Sequence, residues 1–489
     1  MDARVREVVD DPILKRKLVR LSRGEQPRVL DLFSGCGGIS LGFQRAGFRI
    51  DANVEFDEHA ARSHAINFHS HLEGDEFETF ASSKDITAVE PDEFARMLGL
   101  GATEDAIDVL VGGPPCQAYA RVGRAKLREI ADHPQAFQID PRKDLYLRYL
   151  EYVRAFRPLA LLMENVPDIL NQAGHNYGEE ICEALGDLGY ETKYTLINSS
   201  FHGVPQMRDR VFIVGVRKEL NARIRFPKAT HHMELPPGYA GTRQVALKYV
   251  DLLGGGHFEQ ADLGDDSLPF PVTAHEAIGD LPSIRGDSVR RGARRFGPDT
   301  FVPYGNTNEI SKFAEVMRQW PGFEGNGGVD DHAIRYLPRD GHIFAAMREG
   351  AEYPEAHRTA MSLFEEKAKR QGVSRGMRAW GELQAAMVPP YDPGKFPNRW
   401  WKLRRDFPVR TLMAHIGKDT YSHIHYDGRQ ARTISVREAA RLQSFPDGFR
   451  FSGTMNPAFR QIGNAVPPLM AAAVATEVRA MLDEATALA

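Results

Sequence analysis

Residues Val29 to Leu41 read Val-Leu-Asp-Leu-Phe-Ser-Gly-Cys-Gly-Gly-Ile-Ser-Leu, an apolar run that breaks into glycines and resumes with helical spacing. The pattern is a strand, a tight turn and the start of a helix. Glycines let a backbone approach a ligand closely, and in nucleotide-binding α/β folds this turn lies at the carboxyl end of the sheet, where ligands collect. Glu55 ends the next strand candidate, where an acid holds a ribose diol. Gly35, Gly37 and Gly38 do not make the spacing of the dinucleotide fingerprint, so the turn predicts a nucleoside-like ligand and does not favour NAD.

Outward from this turn, residues 28–216 alternate short β-branched or apolar runs with longer amphipathic stretches, the signature of βαβ units and a parallel sheet. The strand candidates are Val29–Phe33, Ile50–Val54, Ile107–Val111, Leu159–Met163 and Val211–Val216. The fold class expected is α/β. Residues 1–26 read as a charged helical extension, 27–225 as the α/β domain, 226–425 as a loop-rich region of glycine, proline and arginine, and 426–489 as a return to the first domain. Helices are expected at Ser435–Gln443 and from Pro467-Pro468 through Met481.

The chain has 489 residues, 42% of them hydrophobic, enough to bury a large core. Apolar runs such as Leu159–Met163 are too short to cross a bilayer, and the charged N-terminus lacks a signal-peptide pattern, so a cytoplasmic protein is expected. Cys36, Cys116 and Cys182 are too few and scattered for a disulfide framework or zinc cage. His231-His232 and His423-x-His425 lack partners at metal-ligand spacing, and no metal is expected. A formal net charge of −4 gives no overall attraction to phosphate. Local basic stretches do exist: Arg121 to Arg128, Arg285 to Arg295, and Arg399 to Arg405 around Trp400 and Trp401.

Three further motifs carry reactive groups. Gly112-Gly113-Pro114-Pro115-Cys116-Gln117 follows a strand candidate, and its prolines stiffen the turn that holds the thiol. Met163-Glu164-Asn165-Val166-Pro167 follows another, placing a carboxylate at the same sheet edge. Gln206-x-Arg208-x-Arg210 puts two guanidiniums on one side of an extended segment by the period-two rule. Thiol, carboxylate and guanidinium are expected to converge.

In this order, and with Asp85-Ile86, Arg437 to Gln443, Phe445-Pro446-Asp447 and Gln461-Ile-Gly463-Asn464-Ala-Val466-Pro467-Pro468, these motifs resemble the DNA cytosine-5 methyltransferase family. The resemblance implies a Rossmann-like S-adenosylmethionine-dependent methyltransferase sheet with a smaller target-recognition domain in the poorly patterned middle. It implies an S-adenosylmethionine site of Phe33, Gly35, Gly37, Gly38, Leu41, Glu55, Phe56, Asp85, Ile86, Pro115, Leu145, Asn464 and Val466, with the C-terminal helix packed beside the first motif. Cys116, Glu164, Arg208 and Arg210 would be catalytic. Cytosine carbon-5 is too electron-poor to attack a methyl sulfonium unless a nucleophile, here a thiolate, first adds at carbon-6.

The partner implied is double-stranded DNA with one nucleotide extruded, contacted by Gln117, Arg121, Arg124 and Asn165. Tyr119-Ala120 departs from the Phe-Ser usual in the family and removes a hydroxyl expected to hold phosphate. A bacterial, nucleoid-associated, monomeric enzyme beside a restriction or phage-defence system is the expectation. The rival readings are a tRNA cytosine-5 methyltransferase, disfavoured by the long region from Val216 to Arg410, and a silent DNA-binding scaffold, disfavoured by the intact reactive set.

Overall fold

The computed structural model describes residues 11–115, 144–172, 174–253, 256–286, 301–305, 310–416 and 421–488. It divides into two compact units, residues 1–270 with 465–489, and residues 271–464.

The first unit is built on a six-stranded sheet, β1 Arg28–Leu32, β2 Arg49–Val54, β3 Val109–Gly112, β4 Ala160–Asn165, β5 Tyr190–Asn198 and β6 Asp209–Arg217, in the order β2-β1-β3-β4-β6-β5. The first four run parallel, whereas β6 is antiparallel to both β4 and β5. An all-parallel sheet was the sequence expectation. The correction has a simple cause: the link from Asn198 to Asp209 is too short for a crossover helix, so β5 and β6 form a hairpin.

Side chains alternate between two cores. Leu30, Leu32, Leu110, Leu161, Met163, Val211 and Ile213 face one layer of helices, including Asp144–Phe156 and Tyr177–Asp187. Val29, Val109, Val111, Leu162, Phe212 and Val214 face the other layer, formed by α1 Pro12–Ser22, α2 Gly38–Arg45 and the C-terminal helix Pro468–Leu488. Burial on both faces explains why these strands read as continuous apolar runs.

Within the N-terminal extension, α1 is an integral helix. Asp11 caps it by accepting from the Ile13 amide, and Leu14 and Leu18 enter the core. Lys17 is fully buried, its ammonium donating to the carbonyls of Ile107, Phe156 and Arg157 at 2.6–2.9 Å. By length and composition the run Met455–Ala487 could cross a membrane, but 67% of its apolar window is buried. Met470, Val474, Val478 and Met481 are core residues. The C-terminal helix crosses α2 so closely that a Cβ on Gly42 would lie 2.5 Å from that of Ala471. This is the return to the first motif that the sequence implied.

The second unit begins and ends later than the boundaries at 226 and 425 read from composition. Residues 226–270 pack with the sheet, and the helix Pro237–Leu253 buries Ala246 and Val250 in the first core. The expected helix Ser435–Gln443 appears as Val436–Leu442 with a capping box between Ser435 and Glu438. Longer helices, Tyr353–Arg370 and Arg378–Met387, lie in the region expected to be loop-rich.

The charges of the Arg437-to-Gln443 motif face inward. Arg437 donates to the carbonyls of Asp330, Pro446 and Phe449, and Arg432 pairs with Glu438. Arg441, fully buried, binds Asp447 at 2.5 and 2.6 Å and Asp280 at 3.1 and 3.2 Å. Removing one member of a buried ion network strands the others. Arg441→Met should therefore cost about 3–5 kcal/mol of folding stability, measured by urea unfolding; a loss under about 1 kcal/mol, typical of an exposed pair, would contradict this reading.

Candidate active site

Register places the motifs in one line. Val54, Leu32, Gly112 and Met163 sit abreast across β2, β1, β3 and β4. The residues that follow them are Glu55, Phe33, Gly113 and Glu164. At roughly 4.8 Å between strands, this edge spans about 14 Å from the first carboxylate to the second.

At one end, the turn after β1 is fixed from beneath. Phe33 takes a left-handed φ of 59° and Gly35 one of 54°. Glu55 reaches across to accept from the amides of Gly35 at 2.8 Å and Asp57 at 2.7 Å. Burial raises the Glu55 pKa against these backbone donors. Phe56, next in the chain, leaves its ring 75% exposed. Asp85 is exposed and accepts from the Thr87 amide and hydroxyl, while Ile86 is buried beside it.

Below the turn lies a buried polar chain with no counterpart in the sequence reading. Asp31 accepts from Ser40 Oγ at 2.6 Å, and Ser40 Oγ lies 3.0 Å from His64 Nε2. All three are fully buried, and burial pushes the Asp31 carboxyl up to about 7.

At the other end stands Glu164. Arg210, the second residue of β6, pairs with it at 2.7 Å, and both side chains are nearly enclosed. The period-two rule explains the meeting: Glu164 continues the face of Ala160 and Leu162, and Arg210 the face of Phe212 and Val214. Burial raises the Glu164 pKa, opposed first by Arg210 and then by Arg208. Arg208 is also buried, its guanidinium destabilised by desolvation and by Arg210 and favoured by Glu164. Gly113 has to be small here, since a Cβ would lie 2.9 Å from Glu164 Oε2.

The carboxylate and guanidinium expected to converge do so. Cys116, Gln117, Arg121 and Arg124 lie outside the described residues, as does most of the basic stretch from Arg285 to Arg295. The chain is described as far as Pro115, whose neighbour Pro114 accepts a 2.7 Å hydrogen bond from Asn165 Nδ2. Asn165, expected to meet DNA, is buried here, and its Oδ1 takes the Val166 amide. It holds the turn leading to Cys116.

Other expected cofactor residues divide. Phe33, Gly35, Glu55, Phe56 and Pro115 lie at the edge, Leu145 is half-buried in the helix after the undescribed segment, and Gly37 and Gly38 are buried in the turn. Leu41 and Val466 are buried behind the turn, Leu41 on α2. Asn464 is exposed and ends a helix of the second unit.

Residues 27–480 match the model of the C-5 cytosine-specific DNA methylases. The chain belongs to that family. This methylase is 37% identical over 460 residues to a protein of Oceanobacillus iheyensis that carries the type II methyltransferase name M.OihORF3336P, covering 93% of this chain and 95% of the relative. It is 29% identical to the type II methyltransferase M.AgeI of Thalassovita gelatinovora, covering 93% and 100%. In fold it resembles a crystal structure described as a prophage-encoded DNA modification methyltransferase of E. coli, with a TM-score of 0.59 at 22% identity, covering 94% of this chain and 100% of the other.

The basic stretch from Arg399 to Arg405 is partly enclosed in the second unit. Lys402 is buried with its ammonium on the carbonyls of Phe344 and Met347, and Trp400 and Trp401 are buried. Arg399 stacks over Tyr391 and Arg404 over Phe407. The Lys402 cation serves packing, while Arg404 and Arg405 are exposed.

The Asp31 chain makes a pH prediction. A carboxyl whose folded pKa is about 7 instead of 3.8 takes up protons on folding, so its contribution is fullest below 3.8 and is lost as pH rises to 7. The stability of Asp31→Asn relative to wild type should therefore move in favour of the variant between those two values. Paired thermal melts across this range check it; a difference independent of pH would contradict the assignment.

Proposed function

We propose that this methylase converts cytosine to 5-methylcytosine within one short duplex DNA sequence, through a covalent adduct between Cys116 and carbon-6 of a flipped base. The observation that carries the proposal is the enclosed Glu164–Arg210 pair at 2.7 Å, set beside the Gly113-Pro114-Pro115 turn that leads into Cys116.

The Cys116 thiolate would add to carbon-6, and Glu164 would share a proton with ring N3 as charge builds on the ring. A pKa raised by burial suits that task, because it makes the carboxyl a readier proton carrier than a solvated glutamate. Arg210 keeps the carboxylate aimed, and Arg208 would stabilise the O2 oxygen of the adduct. Carbon-5, now an enamine terminus, would take the methyl as its bond to the sulfonium sulfur breaks and a neutral thioether departs; carbon-5 would then lose its proton to a base, and the thiolate would leave as the double bond returns. A free thiol is mostly protonated at neutral pH, so nearby cations must favour the thiolate.

S-adenosylmethionine, when bound, supplies the electrophilic methyl group. The residues at the β1 and β2 ends fit it: a carboxylate for a ribose diol, the exposed Phe56 ring for a flat base, and an open side at Gly35, where a Cβ would meet nothing within 4 Å. Residues 271–464 would carry target recognition. A cytoplasmic, nucleoid-associated monomer acting beside a restriction or antiviral defence system completes the proposal.

The test is methyl transfer from labelled S-adenosylmethionine to duplex DNA, with tRNA in parallel, followed by bisulfite mapping. Label confined to cytosines of one DNA motif, abolished in Cys116→Ala and lowered roughly 100-fold or more in Glu164→Gln, is expected. Label only in tRNA, or label retained by Cys116→Ala, would overturn it.

A further inference from the structure

The strand that carries Arg208 and Arg210 has a second charged face. Asp209 lies between them and points the opposite way, on the face of Val211 and Ile213. Its carboxylate is buried, and it is not left alone. Arg243 Nη1 binds Asp209 Oδ1 at 3.0 Å, and Asn198 Nδ2 binds the same oxygen at 3.1 Å. Arg243 Nη2 also donates to the Leu196 carbonyl at 2.6 Å, tying the neighbouring strand into the clamp.

Arg243 comes from the helix Pro237–Leu253, outside every motif read from the sequence. Its spacing to Ala246 and Val250 is i, i+3, i+7, so the arginine leads the face by which that helix enters the core. The same helix touches the other catalytic segment, since Asn171, which follows the turn after Glu164, donates from its amide to the Val245 carbonyl at 2.6 Å. One helix therefore braces both the segment after β4 and the start of β6.

We infer that Arg243 is a positioning residue for methyl transfer: by holding Asp209 on one face of β6, it fixes how Arg208 and Arg210 present their guanidiniums to Glu164 on the other. The inference rests on the proposed roles of Glu164, Arg208 and Arg210. Asp209 is an anion adjacent to two guanidiniums that the reaction needs elsewhere. With Arg243 in place the carboxylate is satisfied by a partner outside the site. Without it, a buried carboxylate would compete with Glu164 for Arg210, the next cation whose charge acts on it. Small displacements of positioning groups carry large rate penalties.

The test compares Arg243→Gln, Arg243→Lys and the double variant Arg243→Gln with Asp209→Asn in single-turnover methyl transfer on duplex DNA. Binding of S-adenosylhomocysteine, the demethylated cofactor, is measured alongside to count competent molecules. Arg243→Gln should lower the single-turnover rate roughly 10- to 100-fold per competent molecule with cofactor affinity little changed. Arg243→Lys should recover part of the rate. The double variant, which removes the stranded charge, should be faster than Arg243→Gln. A merely structural arginine predicts the reverse, with the double variant equal or worse and losses tracking the competent fraction; that pattern, or an unchanged rate in Arg243→Gln, would overturn the inference. Glu164→Gln is the control for the parent reading: if it kept the wild-type rate, that reading would fall and this inference with it.

Discussion

A carboxylate and a guanidinium enclosed side by side, Glu164 and Arg210, set the terms for the first unit. Each is costly to bury alone, and together they repay that cost only in good geometry. Everything around them serves that geometry. The parallel strands bring Glu164 to the carboxyl edge, the antiparallel hairpin brings Arg210 back to meet it, and Gly113 clears the space beside it. The edge is consequently divided, with Glu55 and Phe56 at one end and the enclosed pair roughly three strand spacings away.

Polar burial elsewhere follows the same logic. Lys17 spends all three ammonium donors on carbonyls, Asn165 spends its amide on the turn before Cys116, and Arg441 is shared by two carboxylates in the second unit. In each case the buried group replaces lost solvation with specific partners, so a polar side chain becomes a fixed joint. A motif can thus contain residues that never touch a ligand: Arg437, Glu438 and Arg441 are fully or almost fully buried in the second unit.

The sequence made some of this legible and withheld the rest for physical reasons. β1, β3 and β4 announce themselves because both faces are covered and their runs are apolar throughout. β5 is hidden because Glu191, Thr192, Lys193 and Thr195 break up its apolar residues, and the direction of β6 depends on the short link before it. Strand parity put Arg208 and Arg210 on one side, but the meeting of Arg210 with Glu164 also needs the antiparallel direction of β6. Arg243 was not predictable, since it stands 34 positions from Asp209 and its helix lies in a stretch whose composition reads as a separate domain. The Asp31–Ser40–His64 chain was invisible for a similar reason: it crosses from a strand to two helices through contacts that only the fold defines.

The account stands on Cys116 as the nucleophile that the Glu164–Arg210 pair serves, and one measurement reaches that claim directly. Duplex DNA carrying 5-fluorocytosine at the target position, incubated with the methylase and S-adenosylmethionine, should stall after methyl transfer, because fluorine cannot leave carbon-5 as a proton does. A denaturation-resistant complex whose digest places the DNA on Cys116, and which fails to form in Cys116→Ala, is the predicted result. A complex mapping to another residue, or none from an enzyme that methylates ordinary duplex DNA, would contradict it.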